Sequence, residues 1–382
     1  MKRDLQPGSA GPPGRPGSAG PPPSHHLTPM PPVLGWIPTT RLLIATLLLA
    51  GVVTSPALAQ PDASTKSTAT MLLVRGADGE PEYAPRFDRQ VERWRAVAQQ
   101  AGAACKVIGT VASEPGTPQS PEAKEDLADR QRLQIALGKE GVETFRPLWL
   151  VFIGHGTFDG KQARFNLRGP DVSAEELAAW LKPVQRPLVI LNTSAASAPF
   201  LAPLAGTNRV VITATRSGNE QSYARFGDFL AETMAAPAAD LDQDGQTSLL
   251  EAFLNAASRV AEFYQTEGRL ATEHALIDDN GDGLGTPAEW FQGIRAVRRA
   301  QDNHPLDGAH AHQVHLVLSP EELALSPEVR AHRDTLEQQL FALREQKAKL
   351  PETDYYARLE KLLLEIARLY VAPAPPEGGT PH

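Results

Sequence analysis

Continuous apolar runs that stop at small or turn-forming residues are the clearest pattern in this chain. One run covers 148–153 and stops at Gly154-His155-Gly156, and another covers 188–191 and stops at Asn192-Thr193-Ser194. Runs of this kind are typical of strands buried on both faces of a parallel sheet. Further strand-like runs lie at 71–74, 105–108 and 209–215. Because helical segments separate these runs, the pattern predicts an α/β sandwich with a mostly parallel sheet over 69–235.

Helical spacing of apolar residues marks the segments between and after the strands. We expect helices over 87–100 and 121–137, and a third helix that opens at 171–175 with N-cap signals. A late strand is expected over 312–318. Two further stripes, with a turn at Leu350-Pro351-Glu352, predict an antiparallel helical hairpin over 321–372, and this hairpin is a candidate surface for self-association or for contact with a partner. The stripes consist of Val329, Leu336, Leu340, Leu343 and Leu350 in one helix, and of Tyr356, Leu359, Leu363, Ile366 and Tyr370 in the other.

The ends of the two longest apolar runs carry the candidate chemistry. Ligands of parallel sheets bind at the carboxyl ends of the strands, so His155 and Ser194 are expected at neighbouring strand ends. A serine hydroxyl becomes a useful nucleophile only when an oriented base removes its proton. The single cysteine, Cys105, lies in an earlier predicted strand. The sequence therefore leaves open a weak Ser194/His155 hydrolase and a site that only binds.

A strand-end His-Gly followed by a strand-end small-residue turn resembles the caspase and legumain clan of cysteine peptidases. The resemblance covers about 71–232 and implies a caspase-like three-layer sandwich. It implies that His155 is the base, that N–H groups of Gly156 and of the nucleophile bind the oxyanion, and that 213–218 walls the substrate cleft. Ser194 stands where the clan has its cysteine. The implied protein is a pseudopeptidase that binds a peptide or protein ligand at the cleft.

The phrase at 272–283 strengthens this resemblance, because it is similar to one found in exported bacterial caspase-like proteins. The phrase reads Thr-Glu-His-Ala-Leu-Ile-Asp-Asp-Asn-Gly-Asp-Gly. Members of that group commonly lack the cysteine. The resemblance thus favours an inactive member of the fold.

Two acidic loops follow the predicted sheet, and each has the spacing of a calcium-binding EF-hand. Acidic loop 1 (240–251) and acidic loop 2 (278–289) place oxygen side chains at positions 1, 3, 5 and 12 and glycine at position 6, as hard-cation binding requires. Position 7 would supply a backbone carbonyl. The predicted Ca²⁺ ligands are Asp240, Asp242, Asp244, Gln246, Ser248 and Glu251, and Asp278, Asn280, Asp282, Leu284, Thr286 and Glu289.

Capping boxes are the alternative interpretation of the loop ends, since Ser248 with Glu251 and Thr286 with Glu289 have capping-box spacing. Caps do not explain the earlier Asp/Asn alternation, so an EF-hand-like helical insertion over 236–302 is expected. A purely structural calcium-binding protein is a further alternative. The stretch 303–320 is expected to connect the insertion to the hairpin.

Composition and the N-terminal pattern indicate where the protein is located. The chain has 382 residues and a net charge of −8, and nothing indicates nucleic-acid binding. Residues 1–35 are rich in Pro and Gly and are expected to be disordered, as is the tail 373–382. Residues 36–59 have the pattern of a signal peptide cleaved after Ala59, with Met30 as an alternative start. We expect export to the periplasm or outside the cell, and no membrane span after cleavage.

Four histidines crowd the stretch 304–315, namely His304, His310, His312 and His315. On a strand, His310 and His312 would share one face and could bind zinc. No cysteine or fixed acidic partner accompanies them, so solvated loop histidines are the favoured interpretation.

Overall fold

The computed structural model describes residues 68–109, 127–141, 145–234, 236–302 and 304–370. The predictions for 1–35, for the signal peptide 36–59 and for the tail 373–382 fall outside these residues, as does the first part of the helix expected at 121–137. Among the described residues, no helix has the length and apolar character needed to cross a membrane.

A seven-stranded sheet forms the centre of the described fold. Its five parallel strands are β1 (Thr70–Arg75), β2 (Ala104–Ile108), β3 (Leu148–Ile153), β7 (Leu188–Asn192) and β8 (Arg209–Thr213). Antiparallel pairing adds β9 (Leu276–Asp278) and β10 (Thr286–Pro287) beyond β8. The spatial order is β10-β9-β8-β7-β3-β1-β2. The predicted α/β architecture with a mostly parallel sheet is confirmed.

Both faces of this sheet are covered, which explains the unbroken apolar runs. Successive side chains of a strand point to opposite faces. In β3, Trp149 and Val151 therefore join the core on one face, while Leu150 and Phe152 join the core on the other. Every residue of β3 and β7 is buried.

Helices form the two outer layers. The first face carries α1 (Ala84–Gln100), α5 (Phe226–Thr233) and α6 (Leu249–Thr266), and the second carries α2 (Asp129–Glu140), α3 (Ala174–Leu181) and α4 (Leu201–Leu204). Ser173 caps α3 in a capping box with Glu176, so the predicted N-cap signal is present. A small antiparallel sheet lies between β3 and α3 and contains β4 (Gly156–Phe158), β5 (Ala163–Phe165) and β6 (Val172–Ser173).

The chain after acidic loop 2 differs from the expected helix. Thr286 and Pro287 pair with β9 at the sheet edge, and only a 3-10 turn (Ala288–Trp290) follows, because this pairing keeps the backbone extended where a helix would begin. A short hairpin of β11 (Phe291–Gln292) and β12 (Arg295–Ala296) comes next. The strand expected over 312–318 is also absent from the described chain: α7 (Ala309–Gln313) ends there, and His315 makes a single bridge to Ser248.

The C-terminal helices lie where the apolar stripes predicted helices. After the short α8 (Pro320–Ala324), α9 (Pro327–Glu345) and α10 (Glu352–Tyr370) follow one another. Leu336, Leu340 and Leu343 of α9 are buried, whereas Tyr355 is the one buried residue of α10. Four large apolar side chains of α10 are about half exposed, namely Tyr356, Leu363, Leu364 and Tyr370.

Candidate functional site

The carboxyl ends of β3 and β7 bring His155 and Ser194 to the same edge of the sheet. The strands are parallel neighbours in which Phe152 pairs with Asn192, so both turns begin at the same level. Gly156, directly after His155, packs on the Ser194 turn: a Cβ atom there would lie 2.8 Å from Ser194 Oγ. Glycine is needed at 156 because no side chain fits between the two turns. We call this pair of turns the strand-end site.

Ser194 is buried, and its hydroxyl is already engaged. Its Oγ donates to Asn192 Oδ1 at 2.7 Å, and its backbone N–H donates to the same oxygen at 3.2 Å. Because an N–H can only donate, it fixes the orientation of the Asn192 amide. The Asn192 Nδ2 atom is buried and makes no hydrogen bond with the described residues. The hydroxyl proton of Ser194 thus points to an amide oxygen and not to an imidazole.

His155 lies in an aromatic cluster at the edge of the same site. Its ring contacts Tyr83 and Phe87 edge-on, with ring centroids 4.6 and 5.1 Å away. Burial lowers the pKa of His155 below its usual value, so the ring is neutral near pH 7. In that state Nε2–H donates to the Asp78 carbonyl oxygen at 3.1 Å. Within the described chain, no hydrogen bond joins His155 to Ser194, and no carboxylate binds the ring.

Arg75 also belongs to this region, although the spacing of sequence motifs did not predict a role for it. It ends β1, is 2% exposed, and forms ion pairs with Asp78 at 2.5 Å and with Asp88 at 2.7 Å. It therefore holds the loop whose carbonyl binds His155. An arginine that ends an apolar strand was the available signal, but nothing in the sequence identifies its partners.

The segment predicted to wall the cleft packs directly on the Ser194 turn. Ser197 Oγ accepts the backbone N–H groups of Ala214 and Thr215 at 3.0 and 3.2 Å. Ala196 has a positive φ of 51° and donates its N–H to the Glu220 carbonyl. These bonds fix the end of β8 against the end of β7. The strand-end site is rigidly built, and among the described residues no hydrogen bond joins Ser194 to a base, which a serine nucleophile needs.

Acidic loops 1 and 2 share one backbone conformation. Positions 4 and 6 have positive φ in both: Gln243 (62°) and Gly245 (87°) in the first, Gly281 (79°) and Gly283 (76°) in the second. The hydrogen bonds also correspond. In each loop, the N–H groups of positions 6, 5 and 7 donate to the side-chain oxygens of positions 1, 3 and 5, respectively. The same turn is thus formed twice.

Glu251 closes acidic loop 1 from position 12. It is 1% exposed, and its Oε1 accepts the N–H groups of Leu241 and Asp242 at 2.7 and 3.2 Å. Its Oε2 accepts the N–H and the hydroxyl of Ser248, both at 2.8 Å. One carboxylate therefore joins positions 2 and 3 to position 9 and also caps α6.

In acidic loop 2 the corresponding contacts come from Asp307 and not from Glu289. Asp307 Oδ1 accepts the N–H groups of Asp279 and Asn280 at 3.1 and 3.3 Å, and Oδ2 accepts the Thr286 hydroxyl at 2.5 Å. These are again positions 2, 3 and 9. Glu289, by contrast, is exposed and makes no hydrogen bond within the described chain. The missing helix after this loop explains the difference, because position 12 no longer turns back toward the loop.

Both loops crowd negative charge, and burial raises the cost of that charge in the second. The pKa of Asp278 is raised to about 6 and that of Asp307 to about 8, first by burial and then by neighbouring carboxylates. In loop 1, Asp240, Asp242 and Asp244 offer oxygens that all lie within 4.8 Å of one another. Ligands of one calcium ion lie up to about 5 Å apart, so this spacing fits a hard cation. Asp240 Oδ1 is buried without a hydrogen bond to any described residue.

The histidine-rich stretch contacts both acidic loops. His304 Nδ1 lies 2.9 Å from Asp282 Oδ2, and His312 Nε2 lies 2.9 Å from Asp242 Oδ2. These two histidines thus bind different loops, and α7 replaces the strand on which His310 and His312 would share a face. The zinc alternative required His310 and His312 on one face of a strand, and the described chain does not form that strand.

Comparison with known proteins gives structural overlap only. No family model matches the chain, and no curated protein matches its sequence. The crystal structure of the Drosophila initiator caspase Dronc is 11% identical, with a TM-score of 0.37, over 57% of this chain and 81% of its own. Caspase-1 from Spodoptera frugiperda is 10% identical, with a TM-score of 0.33, over 56% and 87%. Overlaps this weak carry no functional argument.

Proposed function

We propose that this protein is a calcium-binding, caspase/legumain-like pseudopeptidase that holds a peptide or protein segment at the strand-end site without cleaving it. The hydrogen bond from Ser194 Oγ to Asn192 Oδ1 carries this proposal. It directs the hydroxyl proton away from His155, whose own Nε2–H is donated to Asp78. A serine in this state lacks the oriented base on which its reactivity depends.

The buried amide of Asn192 supports binding at this site. An unpaired buried donor costs about 1–3 kcal/mol, and an acceptor supplied by a ligand would remove that cost. Asn192 Nδ2 is such a donor, at the end of a central strand. Peptide carbonyl oxygens are acceptors of the required kind.

A serine-directed fluorophosphonate probe and a fluorogenic peptide library test the absence of catalysis. We expect the wild-type protein, with and without calcium, to show no labelling at residue 194 and no cleavage above the Ser194→Ala variant. Ser194→Cys is the informative companion, because a thiolate is far more nucleophilic than a hydroxyl. Wild-type labelling that Ser194→Ala abolishes would instead establish the Ser194/His155 hydrolase.

Retention of the same peptide library on immobilised protein tests binding. We expect saturable retention by wild type and weaker retention by Asn192→Leu, which keeps the volume but removes the amide. Equal retention by both variants, or none, would contradict peptide capture at this site.

Calcium is proposed at both acidic loops, with Asp307 in place of Glu289 as the closing carboxylate of the second. The matching hydrogen bonds of Glu251 and Asp307 to positions 2, 3 and 9 support this assignment. Extracellular modules bind calcium in the range of about 0.1–1 mM, which agrees with the proposed export of a chain cleaved after Ala59. N-terminal sequencing of the secreted protein should then show Gln60 as the first residue.

A further inference from the structure

A cavity of about 310 Å³ lies between α6 and the β8–β9 edge of the sheet, and none of the residues of the strand-end site lines it. Small side chains leave this space open, because six alanines occur where larger residues would fill it. They come from the end of β8, from α6, and from the segments flanking β9 and β10: Ala214, Ala257, Ala261, Ala271, Ala275 and Ala288. The volume is at the lower end of the range for small-molecule sites.

His274 supplies the first polar group of this cavity. Its Nδ1 lies 2.6 Å from Glu220 Oε1, and Glu220 also accepts the backbone N–H of His274 at 3.2 Å. In the neutral imidazole, Nδ1–H is donated to this carboxylate, so Nε2 is an acceptor. No described residue binds Nε2. The Glu220 carboxylate therefore fixes both the ring and the direction of its free lone pair.

Two glutamates supply the remaining negative charge. Glu273 is 2% exposed, and its carboxylate accepts the N–H groups of Arg225 and Phe226 at 2.9 Å each and the Tyr264 hydroxyl at 3.1 Å. Glu289 also lines the cavity, is exposed, and forms no ion pair with a described residue. Neither lysine nor arginine is found among the described residues that line the space. Acceptors and negative charge thus surround an apolar interior.

We propose that this cavity binds an alkylammonium group, with its hydrocarbon chain against the alanines and its ammonium between His274 Nε2 and the Glu289 carboxylate. An ammonium has three donors and no acceptor, which complements both groups. An alcohol would match only the hydrocarbon part and one acceptor, and a carboxylate would be repelled by Glu289 and Glu273. The group is carried either by a free amine or by a lysine side chain of a peptide.

Three probes of equal chain length test the proposal: hexylamine, hexan-1-ol and hexanoate. Each is titrated at pH 8 into calcium-saturated protein whose alanine methyl groups are isotope-labelled, and the chemical shifts of these methyls are followed by NMR. We expect saturable shifts of the cavity methyls, with hexylamine binding about tenfold more tightly than hexan-1-ol and hexanoate not binding. Equal affinity for the three probes, or no saturable shift of these methyls, would overturn the proposal.

Substitutions separate the charge from the space. Glu289→Gln, at the surface, should bring the affinity for hexylamine down to that for hexan-1-ol. Glu262→Gln, an exposed glutamate of α6 outside the lining, should change neither. Ala257→Leu should fill the cavity and abolish both. Hexylamine binding that is unaffected by Glu289→Gln would contradict the ammonium site, even if Ala257→Leu failed to fold.

The source of the ammonium is decided by N-acetyl-lysine methylamide, with N-acetyl-norleucine methylamide as the matched probe that lacks the amine. Binding of the lysine derivative, and not of the norleucine derivative, supports the site with a peptide-borne lysine as its ligand. Binding of hexylamine alone supports the site with a free amine. Binding of the norleucine derivative as tightly as the lysine derivative counts against any role for the charge.

Discussion

His155 combines a depressed pKa with a fixed tautomer, and both follow from its surroundings. Aromatic rings exclude water from one side of the imidazole, and the Asp78 carbonyl accepts Nε2–H on the other. Burial of the ring without a carboxylate partner disfavours the charged form. The residue is thus held as a neutral donor, which suits a structural or binding role.

We expect nitrogen-detected NMR to show the Nε2–H tautomer of His155 and a pKa below the usual 6.5. Because the folded pKa is lowered, the unfolded chain binds the proton first as the pH falls. The stability that His155 contributes is therefore present above pH 6.5 and is lost as the pH falls below that value. His155→Gln should show a flatter dependence of the unfolding free energy on pH in that window. A folded pKa at or above 6.5 would contradict this account.

Sequence patterns located the strand-end residues but not their partners. Apolar runs determine where buried strands end, so they placed His155 and Ser194 at one sheet edge. The bonds that decide their chemistry come from Asp78 and Asn192, and the conformations of short polar turns set those bonds. Asp307 was missed because folding brings it to loop residues that lie far before it in the chain. Arg75 was missed for another reason: its partners Asp78 and Asp88 are near in the chain, but the conformation of the loop after β1 decides which carboxylates it meets.

At the scale of elements, Glu251 at the end of acidic loop 1 has two roles, as a cap of α6 and as an acceptor for the start of the loop. A capping box accepts either Glu or Gln at its third helical position. Glu251, however, uses one oxygen for the α6 cap and the other for Leu241 and Asp242, so both oxygens are occupied by donors. A glutamine would turn its NH₂ group toward one of these sets of donors.

We therefore expect Glu251→Gln to lower the unfolding free energy by about 1–3 kcal/mol in urea titrations without calcium. Glu289→Gln, at an exposed position, should change it by less than about 0.5 kcal/mol. Wild-type stability of Glu251→Gln under these conditions would mean that the glutamate serves only as a helix cap.

The element after acidic loop 2 shows why local signals failed there. Local signals predict a helix here: Thr286 has the position of an N-cap, Pro287 that of the first helical residue, and Glu289 that of a capping glutamate. Pairing with β9 at the open sheet edge keeps Thr286 and Pro287 extended instead. Tertiary pairing of this kind overrides local propensity, and sequence spacing carries no information about a free sheet edge.

At the scale of the whole molecule, calcium is expected to stabilise the fold. Binding to the folded state alone adds RT ln(1 + [L]/Kd), or ~2.7 kcal/mol at a hundred times Kd. For a chain of this size that gain raises the melting temperature by roughly 3–5 °C. Calorimetry in calcium up to tens of millimolar measures this rise.

Variants assign the rise to the loops. Asp307→Asn and Glu251→Gln should each reduce it, and the double variant should remove it. Glu289→Gln should keep the full rise, because the exposed Glu289 side chain makes no hydrogen bond to the other described residues of loop 2. A normal rise in Asp307→Asn together with a reduced rise in Glu289→Gln would restore the ligand set expected from sequence spacing. A melting temperature that calcium leaves unchanged would exclude both.

The closing carboxylate of loop 2 lies far along the chain, and this affects how the two loops can be inherited or transplanted. Loop 1 has its closing carboxylate within its own twelve residues, 240–251, so a single genetic insertion of this segment would carry that carboxylate with it. Loop 2 depends on Asp307, which Gly308 and Ala311 anchor in return by donating to Asp279. A transplanted copy of loop 2 would therefore need the whole segment 278–311 to keep its closing carboxylate.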